Sequence, residues 1–118
     1  MIAHIVLFSP RADRSPDDLR SFAQSVIDTC RSVPSVQRSY VGRAAHVDPG
    51  YHRSFGDKTY EFAAVLEFVS RSELVAYLTH PLHHELGRLF WENCASTVIM
   101  EAEMTDVRDP AALSQLVQ

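Results

Sequence analysis

The chain has no run of basic residues and carries a net charge of −4, which sets nucleic acid aside as a partner. No apolar stretch approaches the ~20 residues of a membrane span. Residues 1–8 have neither a basic n-region nor a small-residue cleavage site, so a secretory signal is not read there and a cytoplasmic setting is expected. Cysteine is scarce: Cys30 and Cys94 lie far apart and form no CxxC. In a reducing compartment they are expected as small core residues, not as a disulfide. A glycine-rich phosphate loop and a GxSxG elbow are both missing. What these absences leave open is small-molecule chemistry or binding.

The 118 residues are 46% hydrophobic and 22% charged, the balance of one globular domain. A domain this small buries roughly 65% of its unfolded surface, so dimerisation would add useful burial. Residues 2–8 read as a strand that is apolar on both faces, with Ile2, His4, Val6 and Phe8 on one side and Ala3, Ile5 and Leu7 on the other. Ser15-Pro16-Asp17-Asp18 combines a cap, a proline at the first helical position and two acids facing the dipole. Leu19, Phe22, Ala23, Val26, Ile27 and Cys30 follow as one helical stripe, which stops before Pro34.

A second strand is expected over 36–47, with a bulge or bend at Gly42. Asp48-Pro49-Gly50 is a turn signal, and the loop through Tyr51, His52 and Phe55 suits either a lid or an exposed hairpin extension. A third strand is expected over 59–69, with Tyr60, Phe62, Ala64, Leu66 and Phe68 on one face. Ser70-Arg71-Ser72-Glu73 has the form of a capping box. It opens a helix to Leu78, and a second helical segment runs over 82–93. A fourth strand over 95–107 closes the core. Residues 108–118 form a tail able to make a short amphipathic helix or to fray.

The order β-α-β-β-α-β is the ferredoxin-like, α+β pattern, an antiparallel four-stranded sheet with helices on one face. Strands that are apolar on both sides then call for a second sheet against the bare face, and another copy of the chain is its economical source.

The stretch Tyr77-Leu78-Thr79-His80-Pro81-Leu82-His83-His84-Glu85-Leu86-Gly87 holds three of the six histidines. His80 precedes a proline and is pushed away from helical dihedrals, while Pro81 fits the first turn of the next helix. Imidazoles there titrate near neutral pH. His80, His83 and His84 have a spacing at which two rings can share a helix face. No carboxylate or cysteine completes a recognisable ligand set, although Glu85 is adjacent, so no metal and no cofactor are expected.

The opening Ile2-Ala3-His4-Ile5-Val6-Leu7-Phe8, the strand from Glu61 to Phe68 and the segment Tyr77-Leu78-Thr79-His80-Pro81-Leu82-His83 together resemble the stress-responsive dimeric A/B barrel (Dabb) family, over residues 2 to about 105. The resemblance implies a protomer spanning 1–107 whose sheet pairs with a second copy into a dimeric α/β barrel. One branch of that family includes a plant polyketide cyclase, olivetolic acid cyclase, in which a strand-one histidine and a histidine of the HPxH segment serve an aldol cyclisation. By position these correspond to His4 and His83, and a nearby tyrosine to Tyr77. A helix-one tyrosine near that enzyme's pocket falls here on Val26, and the loop between the second and third strands is longer.

His4 is expected on the helix-covered face, with His83 on the helix that covers it. Such a pair can exchange one proton, and Tyr77 can hold a carbonyl or enolate oxygen. Phe8, Phe22, Val26, His80, Leu86 and Phe90 are the candidate substrate-binding residues. Two readings stand. One is a small cofactor-independent enzyme of cyclase, lyase or isomerase type acting on a carbonyl or polyketide-like compound. The other is a non-catalytic homodimer that binds a small apolar ligand or serves a stress response. In the second reading Tyr77 is a core residue, and His80 only caps the carbonyls of the preceding helix.

Overall fold

A computed structural model of the protein describes residues 1–47 and 59–117. Four strands, β1 (Ile2–Pro10), β2 (Arg38–Arg43), β3 (Phe62–Phe68) and β4 (Cys94–Glu103), form one antiparallel sheet in the order β2-β3-β1-β4. Helix α1 (Pro16–Ser32) joins β1 to β2. Helices α2 (Arg71–Leu78) and α3 (Pro81–Asn93) join β3 to β4, and a short α4 (Ala112–Val117) lies in the tail. This is the ferredoxin-like fold.

Directly opposed residues of antiparallel strands share a face. Ile2, His4, Val6 and Phe8 therefore stand beside Phe68, Leu66, Ala64 and Phe62 of β3. On the other side they stand beside Glu103, Glu101, Ile99 and Thr97 of β4. This is the helix-covered face, where Phe22, Val26 and Cys30 of α1 meet Leu66, Phe68, Tyr77 and Leu86 in one core. Phe68 and Leu66, at 0% and 2% exposure, are its centre. The opposite face carries Ile5, Leu7, Val65, Tyr40, Val98 and Met100. Tyr40, Val98 and Met100 remain 55%, 45% and 59% exposed, an apolar surface with no helix over it among the described residues.

The helix starts follow their sequence signals. Ser15 Oγ accepts from the Asp18 amide at 3.1 Å, and Ser70 Oγ from the Glu73 amide at 3.4 Å, each satisfying one of the free amides of a first turn. Three expectations change. Gly42 is not a bulge, because β2 runs in unbroken register through Gly42 opposite Ala63; the sheet's irregularity lies between Ser9 and Pro10, where proline has no amide to give the ladder. The strands at 36–47, 59–69 and 95–107 are shorter than the apolar pattern suggests, because ladder pairing, not hydropathy, ends them. His80 caps the following helix, not the preceding one: its Nδ1 accepts from the Leu82 amide at 3.1 Å. The turn signal and loop aromatics at 48–57 lie outside the described residues.

Candidate functional site

His4 is set by β1 in the middle of the helix-covered face and is 4% exposed. Its cross-strand neighbour on β4 is Glu101, and its Nδ1 lies 2.9 Å from Glu101 Oε1. A carboxylate only accepts, so Nδ1 carries the proton and Nε2 is left as the ring's acceptor. Burial pushes the His4 pKa down, and the Glu101 hydrogen bond and charge pull it partly back.

Tyr77 closes the last turn of α2 and is 2% exposed. Its ring meets His4 edge-on at a centroid distance of 5.6 Å and His83 at 4.8 Å. The three rings thus form a contiguous set drawn from β1, α2 and α3. Burial raises the Tyr77 pKa strongly, helped by the nearby Cys30, so the phenol stays a proton-bearing donor.

His83 stands in the first turn of α3, placed there by the His80 cap and Pro81. Its Nδ1 is buried and has no hydrogen-bond partner. Burial and the positive charge His4 can carry push its pKa down. The Leu78 carbonyl favours the charged ring without reaching good hydrogen-bond geometry. Both imidazoles are therefore biased toward the neutral form, and each opposes protonation of the other.

A cavity of about 390 Å³ opens beside these rings, within the size range of small-molecule sites. Of the candidate residues, His4, Tyr77, His83, Val26, Leu86 and Phe90 line it. Phe8 and Phe22 instead line a second, apolar cavity between α1 and the β2–β3 ladder, with Val26 on the wall of both. An edge-to-face cluster of Phe8, Phe22 and Phe90, with centroids 4.9 to 6.0 Å apart, stands in the same part of the core. His80 borders neither cavity, its ring being spent on the cap. His84 is exposed. Both cysteines are free and both reach the first cavity.

Two residues of the site escape a reading of the sequence. Glu101 looks like one of two acids alternating along an edge strand, and only the register sets it against His4. Trp91 follows Phe90 on α3 and lines the cavity mouth while 87% exposed; its signal was a lone tryptophan on the polar side of an amphipathic helix.

The topology and the ring cluster define a ferredoxin-like domain with a pocket between its sheet and helices. A family model described as the stress responsive A/B barrel domain matches residues 2–104, and the chain belongs to that family. A comparison with curated protein sequences finds no match. Among solved structures, the Arabidopsis thaliana protein At3g17210 is similar with a TM-score of 0.73 and 17% identity, over 91% of this chain and 98% of that one. A hydroxynitrile lyase from Passiflora edulis gives a TM-score of 0.73 and 16% identity, over 90% and 94%. A dimeric ferredoxin-like protein of unknown function from Thermobifida fusca gives 0.69 and 20%, over 87% and 90%. At these identities the structural likeness speaks for the fold. No described helix is long and apolar enough to cross a membrane.

Proposed function

We propose that the protein is a small enzyme that moves a proton at a carbonyl compound, in a cyclase, lyase or isomerase type of reaction, with His4, His83 and Tyr77 as its catalytic residues. The observation that carries this reading is the contiguous set of His4, Tyr77 and His83 rings on the wall of one cavity. His4 Nε2 is suited to take a proton from carbon or hydroxyl next to the carbonyl, because Glu101 on Nδ1 orients the ring and stabilises the imidazolium that forms. The proton then passes from the His4 imidazolium to the product, directly or by way of His83, which starts neutral and takes it up only in passing. The Tyr77 hydroxyl donates to the carbonyl or enolate oxygen as charge develops there. Two imidazoles and a phenol supply both directions of proton transfer, so the step needs no cofactor. Val26, Leu86 and Phe90 give the substrate an apolar bed. The presence of a hydroxynitrile lyase on the same fold supports a lyase among the three types.

We propose further that the working form is a homodimer with the two open sheet faces packed together. The Thermobifida fusca protein is described as dimeric, and the open face of this chain is apolar. The alternative, a binding protein without turnover, would be favoured by a filled cavity with His4 held by a backbone carbonyl. The cavity here is open, and His4 is held by a carboxylate.

The test is turnover of a panel of β-polyketones and cyanohydrins by the purified protein. His4→Ala and His83→Ala should each lower the rate by about 10²- to 10⁴-fold, the range of a lost acid or base. A rate unchanged in His83→Ala would end the proposal.

A further inference from the structure

We infer that the cavity beside His4 and His83 selects uncharged carbonyl compounds and rejects carboxylates. The inference rests on the same site as the proposed function but concerns binding, not turnover. Among the described residues no lysine or arginine lines the cavity. The cations on the neighbouring surfaces are already engaged. Arg88 on α3 is paired with Glu85 and Glu92, Arg71 with Glu103 at 2.8 Å, and Arg11 with Asp13 at 3.2 Å. The two imidazoles do not replace them, since burial holds both toward neutrality.

Negative charge, by contrast, stands close. Glu101 bonds His4, a wall residue of the cavity, directly and is 40% exposed. A carboxylate entering this space would shed its water, meet no cation among the described lining residues and lie against His4, whose ring already holds the Glu101 carboxylate at 2.9 Å. A ketone or aldehyde of the same shape loses little hydration and gains the Tyr77 hydroxyl as donor. The apolar walls of Val26, Leu86, Phe90 and Trp91 suit its hydrocarbon part. The substrate class is thus a neutral carbonyl compound of about single-ring size.

Trp91 is the chain's one tryptophan and lines this cavity, so its fluorescence reports occupancy without any reaction. The experiment titrates the purified full chain at pH 7.5 with cyclohexyl methyl ketone and with cyclohexanecarboxylate, which share shape and differ in charge. The ketone should bind at least about tenfold more tightly, as expected where one ligand meets an uncompensated like charge. Glu101→Gln should narrow the ratio by strengthening carboxylate binding more than it alters ketone binding. A purely structural role for Glu101 would instead weaken both ligands together. Equal affinities, tighter carboxylate binding, no ketone binding, or a ratio unmoved by Glu101→Gln would overturn the inference. Selective ketone binding by a protein that turns nothing over would keep it and defeat the catalytic proposal alone.

Discussion

Replacing His83 by leucine sets the demands of stability and chemistry against each other at one atom. The ring's Nδ1 is buried without a partner, and a buried polar atom left unsatisfied costs about 1–3 kcal/mol. Leucine removes that cost and keeps an apolar group against the cavity wall. It forfeits the edge contact with Tyr77, at a centroid distance of 4.8 Å, which is worth about 0.5–1.5 kcal/mol. The difference favours the variant by about 1 kcal/mol at pH 7.5, a rise of roughly 0.5–1 M in urea midpoint. The advantage should then grow with acid. The folded pKa of His83 is lowered by burial, so below about 6.5, the ordinary value for a free imidazole, the unfolded chain takes up a proton that the folded chain refuses. The wild type therefore loses stability from this group as the pH falls, until the folded pKa is passed. The leucine variant does not. Urea unfolding at fixed protein concentration, at pH 7.5, 6.5 and 5.5, measures both effects, the concentration being held because a dimer's stability depends on it. A variant destabilised by more than about 1 kcal/mol at pH 7.5, or a gap that stays constant with pH, would refute the reasoning. The same substitution should abolish turnover.

Other consequences can be checked separately. His4→Gln should also flatten the acid limb of the stability curve, since the lowered pKa of His4 makes the fold lose stability as pH falls below about 6.5; two-dimensional NMR of the imidazole protons gives the titration directly. Phe68→Ala, at a side chain with 0% exposure, should cost about 3–5 kcal/mol in chemical unfolding. Met100→Lys, on the open sheet face, should shift the protein toward monomer in sedimentation velocity, because a lysine there would be buried opposite its own copy. Ser15→Ala removes the oxygen that caps the Asp18 amide and should lower stability by about 1 kcal/mol.

Much of the fold is legible in the chain because local physics and tertiary packing agree. Ser15-Pro16 and Ser70 announce helix starts that the amides of Asp18 and Glu73 confirm. The alternation of Ile2, His4, Val6 and Phe8 shows which side chains share a face. It does not show where a ladder stops, which depends on partners far along the chain. The stretch of apolar residues over 95–107 therefore overstates β4 (Cys94–Glu103). Gly42 misleads for a related reason. Glycine is weak in a strand, but Gly42 stays in register opposite Ala63, and the register shift falls between Ser9 and Pro10, where proline has no amide to give the ladder.

The site divides along the same line. His4 and His83 stand out because histidine is rare in an apolar strand and clusters at a proline-started helix, and both facts are local. His80 stands out equally by those criteria, yet its ring is consumed by the Leu82 amide. Composition cannot separate a capping imidazole from a free one; one dihedral choice at the residue before proline decides it. Glu101 is the converse case. Ninety-seven residues separate it from His4, and nothing in its neighbours distinguishes it from Glu103 two positions on. A slip of one residue in the β1–β4 register would turn Glu101 to the open face and leave His4 opposite an apolar side chain. The proton-holding partner of the strand-one histidine is thus specified by the β1–β4 register, which holds without a shift from Ile2 opposite Glu103 to Ser9 opposite Ser96. The chemistry of the pocket depends on sheet pairing as much as on the residues that line it.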